Sequence, residues 1–488
     1  MLLLIDHKNL SQPSTTMKYP CHAVASSNSH ILVGFSNHIQ VFPLKSTSTS
    51  SPSIRKNVHK GLVQHINIAP SSELVVTTGE DKMLHLWRLP DLTLVSSRSL
   101  GKKASTIVFT PDEKTLVVGD KFGDVWSFDV SELLSKPSTS ISTIKKKPVT
   151  SADFSKTDDG TGKAESKTKT SHGNEADENE EDDMKYMEPS LGHVSLVTSI
   201  SFFEDGKKVI TADRDEHIRI SHWPNAYNID NFLLGHKKFV ASLLIPWNGC
   251  LISAGGENTA YVWNLNNYQL EREISIEALQ NHIIVPFFKP KSTVPQDSQN
   301  KDIVKTLAVN KMVLVRNSNE EEEIVLFSSS GSSAILAVNS SVIKGKSSAG
   351  ADSSTVLDFG HPILDICSIF KQKQVIVTLD CSISEKTTQM TNRKQFRQLC
   401  IGDDGSLVDM TDDETALVKI LNDSASIEVE EENPTPLATF LYSAMYFYPK
   451  EPVESHFGKE NGKKDKAEQE RDDEDGEKEA KKMKTSDE

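Results

Sequence analysis

LVVTTGEDKMLHLW, residues 74–87, holds an apolar strand, a polar tip and a second alternating strand that ends in an aromatic. Alternation with period two marks a strand, and a Gly/Asp tip between two such runs marks a hairpin. The same scheme returns in TLVVGDKFGDVWSFDV (115–130), KVITADRDEHIRIS (208–221) and CLISAGGENTAYVWNL (250–265). Aligning the tips makes Trp87, Phe128, Ser221 and Trp263 equivalent, with Trp87 and Phe128 41 residues apart and Ser221 and Trp263 42. Gly192-His193 and Gly235-His236 lie 43 apart. A period of about 40–45 residues with Gly-His and Trp markers is that of a four-stranded propeller blade.

From Phe128 to Ser221 is 93 residues, which is one blade and about 50 residues more. The surplus falls in stretches such as SKTDDGTGKAESKTKTSHGNEADENEEDDMK (155–185), nearly devoid of large apolar residues. Such a segment cannot bury enough surface to order itself. Residues 135–190 are therefore expected to be a disordered insertion between two blades. Degenerate blades fit residues 22–44, 302–338 and 362–404, bringing the count to seven. The expected fold is an all-β, seven-bladed WD-repeat propeller. Blades 1–3 occupy residues 1–134. Blades 4–7 and a C-terminal packing segment, apolar around 435–448, occupy 191–450. A disordered charged tail follows in 451–488.

The chain has 488 residues, 36% of them hydrophobic, and a net charge of −15. An acidic balance argues against a stand-alone nucleic-acid binder, which must neutralise phosphates. Five scattered cysteines without a CxxC pair argue against a disulfide framework or zinc cluster and for a reducing compartment. MLLLIDHKNL lacks the basic flank and length of a signal peptide, and no run of 18 apolar residues occurs. The expectation is a soluble intracellular protein with no membrane contact, no metal and no cofactor of its own.

TADRDEHIRISHWP, residues 211–224, crowds Asp213, Asp215, Glu216 and His217 into five positions. Asp81, Asp215 and Glu257 share one tip position, with Phe122 there in the fourth repeat. Turns favour Asp because its side chain bonds nearby backbone. In WD-repeat propellers this Asp joins the blade's His and a Ser/Thr, which suits Asp215 and His193. Successive strand residues point to opposite faces, so Glu216 and His217 do not converge on an ion. Arg219 shares a face with His217 and Ser221, a charged face that is either solvated or an interface.

Ala212–Glu216, Ile218-Arg219 and, farther on, Leu234-Gly235-His236 with Phe239-Val240 resemble one family at a characteristic spacing. That family is the non-catalytic WD-repeat subunit of the eukaryotic, fungal-type tRNA (guanine-N7)-methyltransferase. The resemblance extends to the flanking blades, notably residues 253–263, and to 360–366. It implies a chain that binds, stabilises and activates a separate S-adenosylmethionine-dependent catalytic subunit as a heterodimer. That complex forms N7-methylguanosine in the tRNA variable loop, in the nucleus. It also implies partner-binding roles for Asp215, Glu216 and Arg219, with Arg219 facing an acidic residue of the partner.

A generic WD-repeat adaptor of another nuclear complex is the alternative, and leaves the paired motifs unexplained. An enzyme is disfavoured, since no phosphate loop, HExxH or GxSxG is present. Lysines at 102–103, 145–147, 207–208 and 237–238 read first as loop residues and second as tRNA phosphate contacts. No aromatic platform for stacked bases is apparent beside them.

Overall fold

A computed structural model describes residues 20–44, 53–135, 188–284, 307–316, 323–345, 354–369, 374–381, 394–402, 406–411 and 416–424. They build seven antiparallel four-stranded sheets. The first strands, Ala23–Ser26, Val63–Ile68, Ala104–Phe109, Val197–Phe203, Val240–Leu244, Val309–Arg316 and Ile363–Ile369, each touch the next, and the last touches the first. That closed ring of inner strands is the seven-bladed propeller the repeat period predicts.

The second strand of each blade is flanked by sheets on both sides. It is therefore a continuous apolar run, as in Leu74–Gly79, which is buried throughout, and Cys250–Gly255. Fourth strands face solvent: Gln269–Ser275 is QLEREIS and mostly exposed. Between blades 4 and 5, Ile210, Ile218 and Leu233 pack against Val240, Leu251 and Trp263. Equivalent apolar layers fill the other seams.

Among the described residues every sheet consists of four strands consecutive in sequence, and no strand is exchanged where the ring closes. Side chains close it instead. Val24 N–H donates to Asp365 Oδ2 at 2.8 Å and the Ser26 hydroxyl donates to the Ser368 carbonyl at 2.6 Å. Phe35 and Phe396 meet edge to face at 6.5 Å. The helix Ala416–Ser424 adds Val418 and Leu421 to this seam, and Asn422 exchanges two hydrogen bonds with the backbone of Phe396.

One expected boundary needs correction. The fourth strand of blade 3 is Leu191–Gly192, paired through Val125↔Leu191 and Asp124↔Gly192. The long insertion thus interrupts blade 3 after its third strand and the short helix Val130–Ser135, rather than separating two blades. Outer strands are short and exposed, so periodicity does not reveal them. For the same reason blade 1 extends to Ser53–Arg55 and blade 6 to Ser354–Asp358. The expectations for residues 136–187, 435–448 and 451–488 lie outside the described residues. Among the described residues, no helix is long and apolar enough to cross a membrane.

Candidate functional site

In blades 2 and 5 a Trp, a hydroxyl, a His and a carboxylate form a relay through the sheet. Trp87 Nε1 donates to Thr77 Oγ1 at 3.0 Å, Thr77 Oγ1 meets His59 Nε2 at 3.0 Å, and His59 Nδ1 meets Asp81 Oδ1 at 3.0 Å. Trp263, Ser253, His236 and Glu257 repeat the relay at 2.8, 2.7 and 3.2 Å. His59, Asp81 and His85 also form the one grouping, among the described residues, whose ligand atoms lie close enough for a metal ion. Both His59 nitrogens are committed to the relay, and His85 Nδ1 meets Ser97 Oγ at 2.7 Å. The arrangement is that of a structural network.

Blade 4 differs. Its His193 meets Thr211 Oγ1 at 2.7 Å and Asp213 Oδ2 at 3.0 Å. The carboxylate joined to His193 is therefore Asp213, not the expected Asp215. The reason lies at the strand end. Asp213 Oδ1 accepts the N–H groups of Asp215 (2.8 Å) and His217 (3.0 Å), folding the tip back over its own carboxylate. Blade 3 does the same with Asp120, which accepts from Phe122 N–H, Asp124 N–H and Trp126 Nε1. Blades 2 and 5 have Gly79 and Gly255 at that strand end and use the tip carboxylate instead. A Cβ at Gly79 would strike the His59 ring at 2.5 Å. Burial pushes the Asp213 carboxyl up, but hydrogen bonds from His193 and the His217 N–H outweigh it and hold it below the ordinary range.

The three expected interface residues occupy two environments. Glu216 is exposed at the tip in the left-handed region, φ +79°. Asp215 lies beside it, half-buried, with Oδ1 3.9 Å from Arg214 Nε. Arg219 is only 8% exposed. Its Nε donates to Ser221 Oγ at 2.8 Å, Nη1 to the Gly192 carbonyl at 3.1 Å and Nη2 to the Ala226 carbonyl at 2.7 Å. Ser221, standing where other blades carry an aromatic, leaves room for this inward turn. Burial alone lowers the Arg219 pKa. Arg219 therefore joins the third strand of blade 4 to the last strand of blade 3.

The second motif surrounds the next relay. Ile218↔Leu233 pairing brings the end of blade 4, and with it Leu234, to the same rim as Glu216. Leu234 is 68% exposed, and Lys237 and Lys238 point to solvent. Phe239 seals the blade 5 hairpin, where Gly255 lets strands meet: a Cβ there would lie 1.9 Å from the Phe239 carbonyl oxygen. Lys237, Lys238, Glu257, Tyr261 and Glu273 line an open groove of about 660 Å³ with mixed charge.

Two lysine pairs are not equivalent. Lys208 Nζ is held by Tyr268 Oη, Asp230 and Glu204 at 2.6, 2.9 and 3.0 Å, and those bonds overcome desolvation to raise its pKa. Lys102 instead reaches the Phe122 ring at 4.8 Å. The aromatic missing from the lysines' own stretch of sequence comes from the neighbouring hairpin tip, a proximity that only the fold creates. Lys145–Lys147 lie outside the described residues.

Comparison with known proteins matches residues 18–400 to a family described as the tRNA methyltransferase TRM82 WD40 domain. Three similar curated relatives share the name tRNA (guanine-N(7)-)-methyltransferase non-catalytic subunit TRM82. The Vanderwaltozyma polyspora protein is 32% identical over 232 residues, covering 46% of this chain and 40% of the relative. The Phaeosphaeria nodorum protein is 32% identical over 247 residues, 48% of this chain and 51% of its own. The Eremothecium gossypii protein is 34% identical over 200 residues, 39% of this chain and 34% of its own. The chain thus spans about half or less of the length of these relatives.

Proposed function

The chain belongs to the tRNA methyltransferase TRM82 WD40 family, and from that membership we propose that it is the non-catalytic subunit of a tRNA (guanine-N7)-methyltransferase. In this reading it carries out no reaction itself. It pairs with a catalytic subunit that brings S-adenosylmethionine, stabilises that subunit's competent conformation, and so supports methylation of a variable-loop guanine in the nucleus. A partner that binds only the competent conformation raises its population.

The observation that carries the reading is the meeting of the two family motifs on one rim. The 212–219 motif supplies Asp215 and Glu216 at the tip, and the 234–240 motif supplies exposed Leu234 one strand away. Val194, 95% exposed, joins them, because Arg214 N–H donates to the Leu196 carbonyl at 3.0 Å. An apolar spot rimmed by carboxylates suits a protein partner with basic and apolar groups. Arg219 braces this rim from below. Three of its five donors are used within the chain; in this reading the remaining two meet a partner carboxylate at the seam.

The test is co-expression with the candidate catalytic subunit, followed by gel filtration. Wild type is expected to co-elute with it. Arg219→Glu and the Asp215→Lys/Glu216→Lys double variant are expected to elute apart from it, the double variant with its own melting temperature unchanged. Co-elution of both variants at wild-type yield would remove these residues from the interface. Failure of the wild type to co-elute would remove the reading.

A further inference from the structure

We propose that the tips of blades 2 and 3 form a platform for single-stranded nucleic acid, with Phe122 as the stacking surface and Lys102 and Lys121 as phosphate contacts. Phe122 is 56% exposed at the position where other blades carry Asp81, Asp215 or Glu257. Exposing a Phe forgoes much of the favourable burial of its ring. The turn holds it outward: Asp120 Oδ1 accepts the Phe122 N–H at 2.7 Å and the Asp124 N–H at 3.1 Å. Gly123 adopts φ +104°, where a Cβ would strike the His193 carbonyl oxygen at 2.3 Å. The ring is therefore presented by a fixed hairpin.

Two ammonium groups lie over that ring, Lys102 Nζ at 4.8 Å and Lys121 Nζ at 5.3 Å from its centre; as a strand binds, these long side chains swing to its phosphates and leave the ring face to a base. Among the described residues neither has a carboxylate within ion-pair distance. Three nearby acids are otherwise engaged, and the Asp124 carboxylate lies beside Gly192. Glu80 pairs with Lys103 at 3.7 Å, Asp81 accepts from His59 and the Lys60 N–H, and Asp120 is consumed in its turn. Lys60 and Lys82 are exposed on adjoining tips. The loops are tied together, Lys121 N–H to the Lys103 carbonyl at 3.3 Å and Leu100 N–H to the Lys82 carbonyl at 2.7 Å. A chain of net charge −15 thus gathers cations around one exposed aromatic. Phosphates answer the lysines and a base face answers the ring. An acidic peptide would answer only the lysines.

The site rests on the proposed function only for the source of the strand, a tRNA presented beside the bound enzyme. The test is fluorescence anisotropy of the purified full chain with labelled oligo(U) and oligo(dT) of about 12 nucleotides, between about 50 and 200 mM salt. Wild type is expected to bind with affinity falling as salt rises. Lys102→Glu/Lys121→Glu is expected to weaken binding at least about tenfold. Neutral Lys102→Gln and Lys121→Gln should each flatten the salt slope by about 0.7. Phe122→Ala should weaken binding with the slope unchanged, and Phe122→Trp should restore it. Lys114→Glu, exposed at the opposite end of the blade 3 strands, should bind as wild type. Tighter oligo(U) binding assigns the site to RNA, and equal binding to single strands of either kind.

Absence of binding by the wild type, or wild-type affinity in the Lys102/Lys121 and Phe122 variants, would overturn the site. So would an oligoglutamate that binds as tightly as oligo(U) and ignores Phe122→Ala. The catalytic subunit is absent from the assay. Loss of this site and loss of the subunit reading are therefore separate outcomes.

Discussion

Arg219 Nη1 donates to the Gly192 carbonyl at 3.1 Å, across the seam between blade 4 and the last strand of blade 3. One side chain thereby supports both the rim proposed to meet the partner and the strand that returns from the long insertion. Arg219→Leu leaves the carbonyls of Gly192 and Ala226 and the Ser221 hydroxyl without this donor, at about 1–3 kcal/mol. Urea unfolding should show a lower midpoint, and Arg219→Lys should recover only part of it, because an ammonium lacks the fork that reaches three acceptors. An unchanged midpoint in Arg219→Leu would mean that the seam does not depend on this residue.

Asp213 and Asp215 are two residues apart and do different things. Asp213→Asn weakens the acceptor of His193 and of two backbone N–H groups, and should cost about 1–3 kcal/mol. Asp215→Asn should shift stability by less than about 0.5 kcal/mol, while weakening the partner. Thermal unfolding of the isolated chain beside co-elution with the enzyme separates the two. The reverse pattern would restore Asp215 to the structural network.

Gly255→Ala places a methyl 1.9 Å from the Phe239 carbonyl oxygen, where the neighbour is backbone and cannot swing away. A cost of several kcal/mol, about the size that single core changes reach at their worst, is expected. The measurement is soluble yield and melting temperature against Gly235→Ala. There the added methyl would meet only the Trp263 ring edge at 3.1 Å, so the loss should be smaller.

Acid should act in two stages. Burial holds His65 down to about 4, and burial together with nearby His59 holds His85 down to about 4. Unfolded histidine titrates near about 6.5. The unfolded chain therefore binds these protons first, and stability present above pH about 6.5 is lost as pH falls towards 4. Asp81 follows: burial raises its carboxyl, but the His59 and Lys60 hydrogen bonds carry it down to about 2. Its contribution is full above the unfolded value of about 3.9 and lost as pH falls through about 2. Melting temperature against pH should be flat near neutrality and fall in these two windows. In His85→Gln the upper step should shrink.

The hairpins were legible in the sequence because second strands lie between sheets and are written as unbroken apolar runs. The outer strands were not, since Leu191–Gly192 is two residues long and Ser53–Arg55 three, with little to bury. That is why periodicity alone places the insertion between two blades. The helix Ala416–Ser424 is not legible in the sequence because its apolar face matters only against Phe35 and Phe396, far away in the chain. At the site, tip alignment locates the turn but points to Asp215, whereas Asp213 holds His193. The correcting signal was present as Gly79 and Gly255 opposed to Asp120 and Asp213 at the strand end. The inward turn of Arg219 needed the vacancy left by Ser221, and the Lys102–Phe122 meeting needed two loops brought side by side.

The central claim is that this propeller enables a methyltransferase that it does not itself contain. The most direct measurement is N7-guanine methylation of tRNA by the purified chain, by its candidate catalytic subunit, and by both together. Strong methylation only in the mixture, reduced by Arg219→Glu, is the predicted result. A catalytic subunit whose activity is the same with and without this chain, with no complex between them, would contradict the claim.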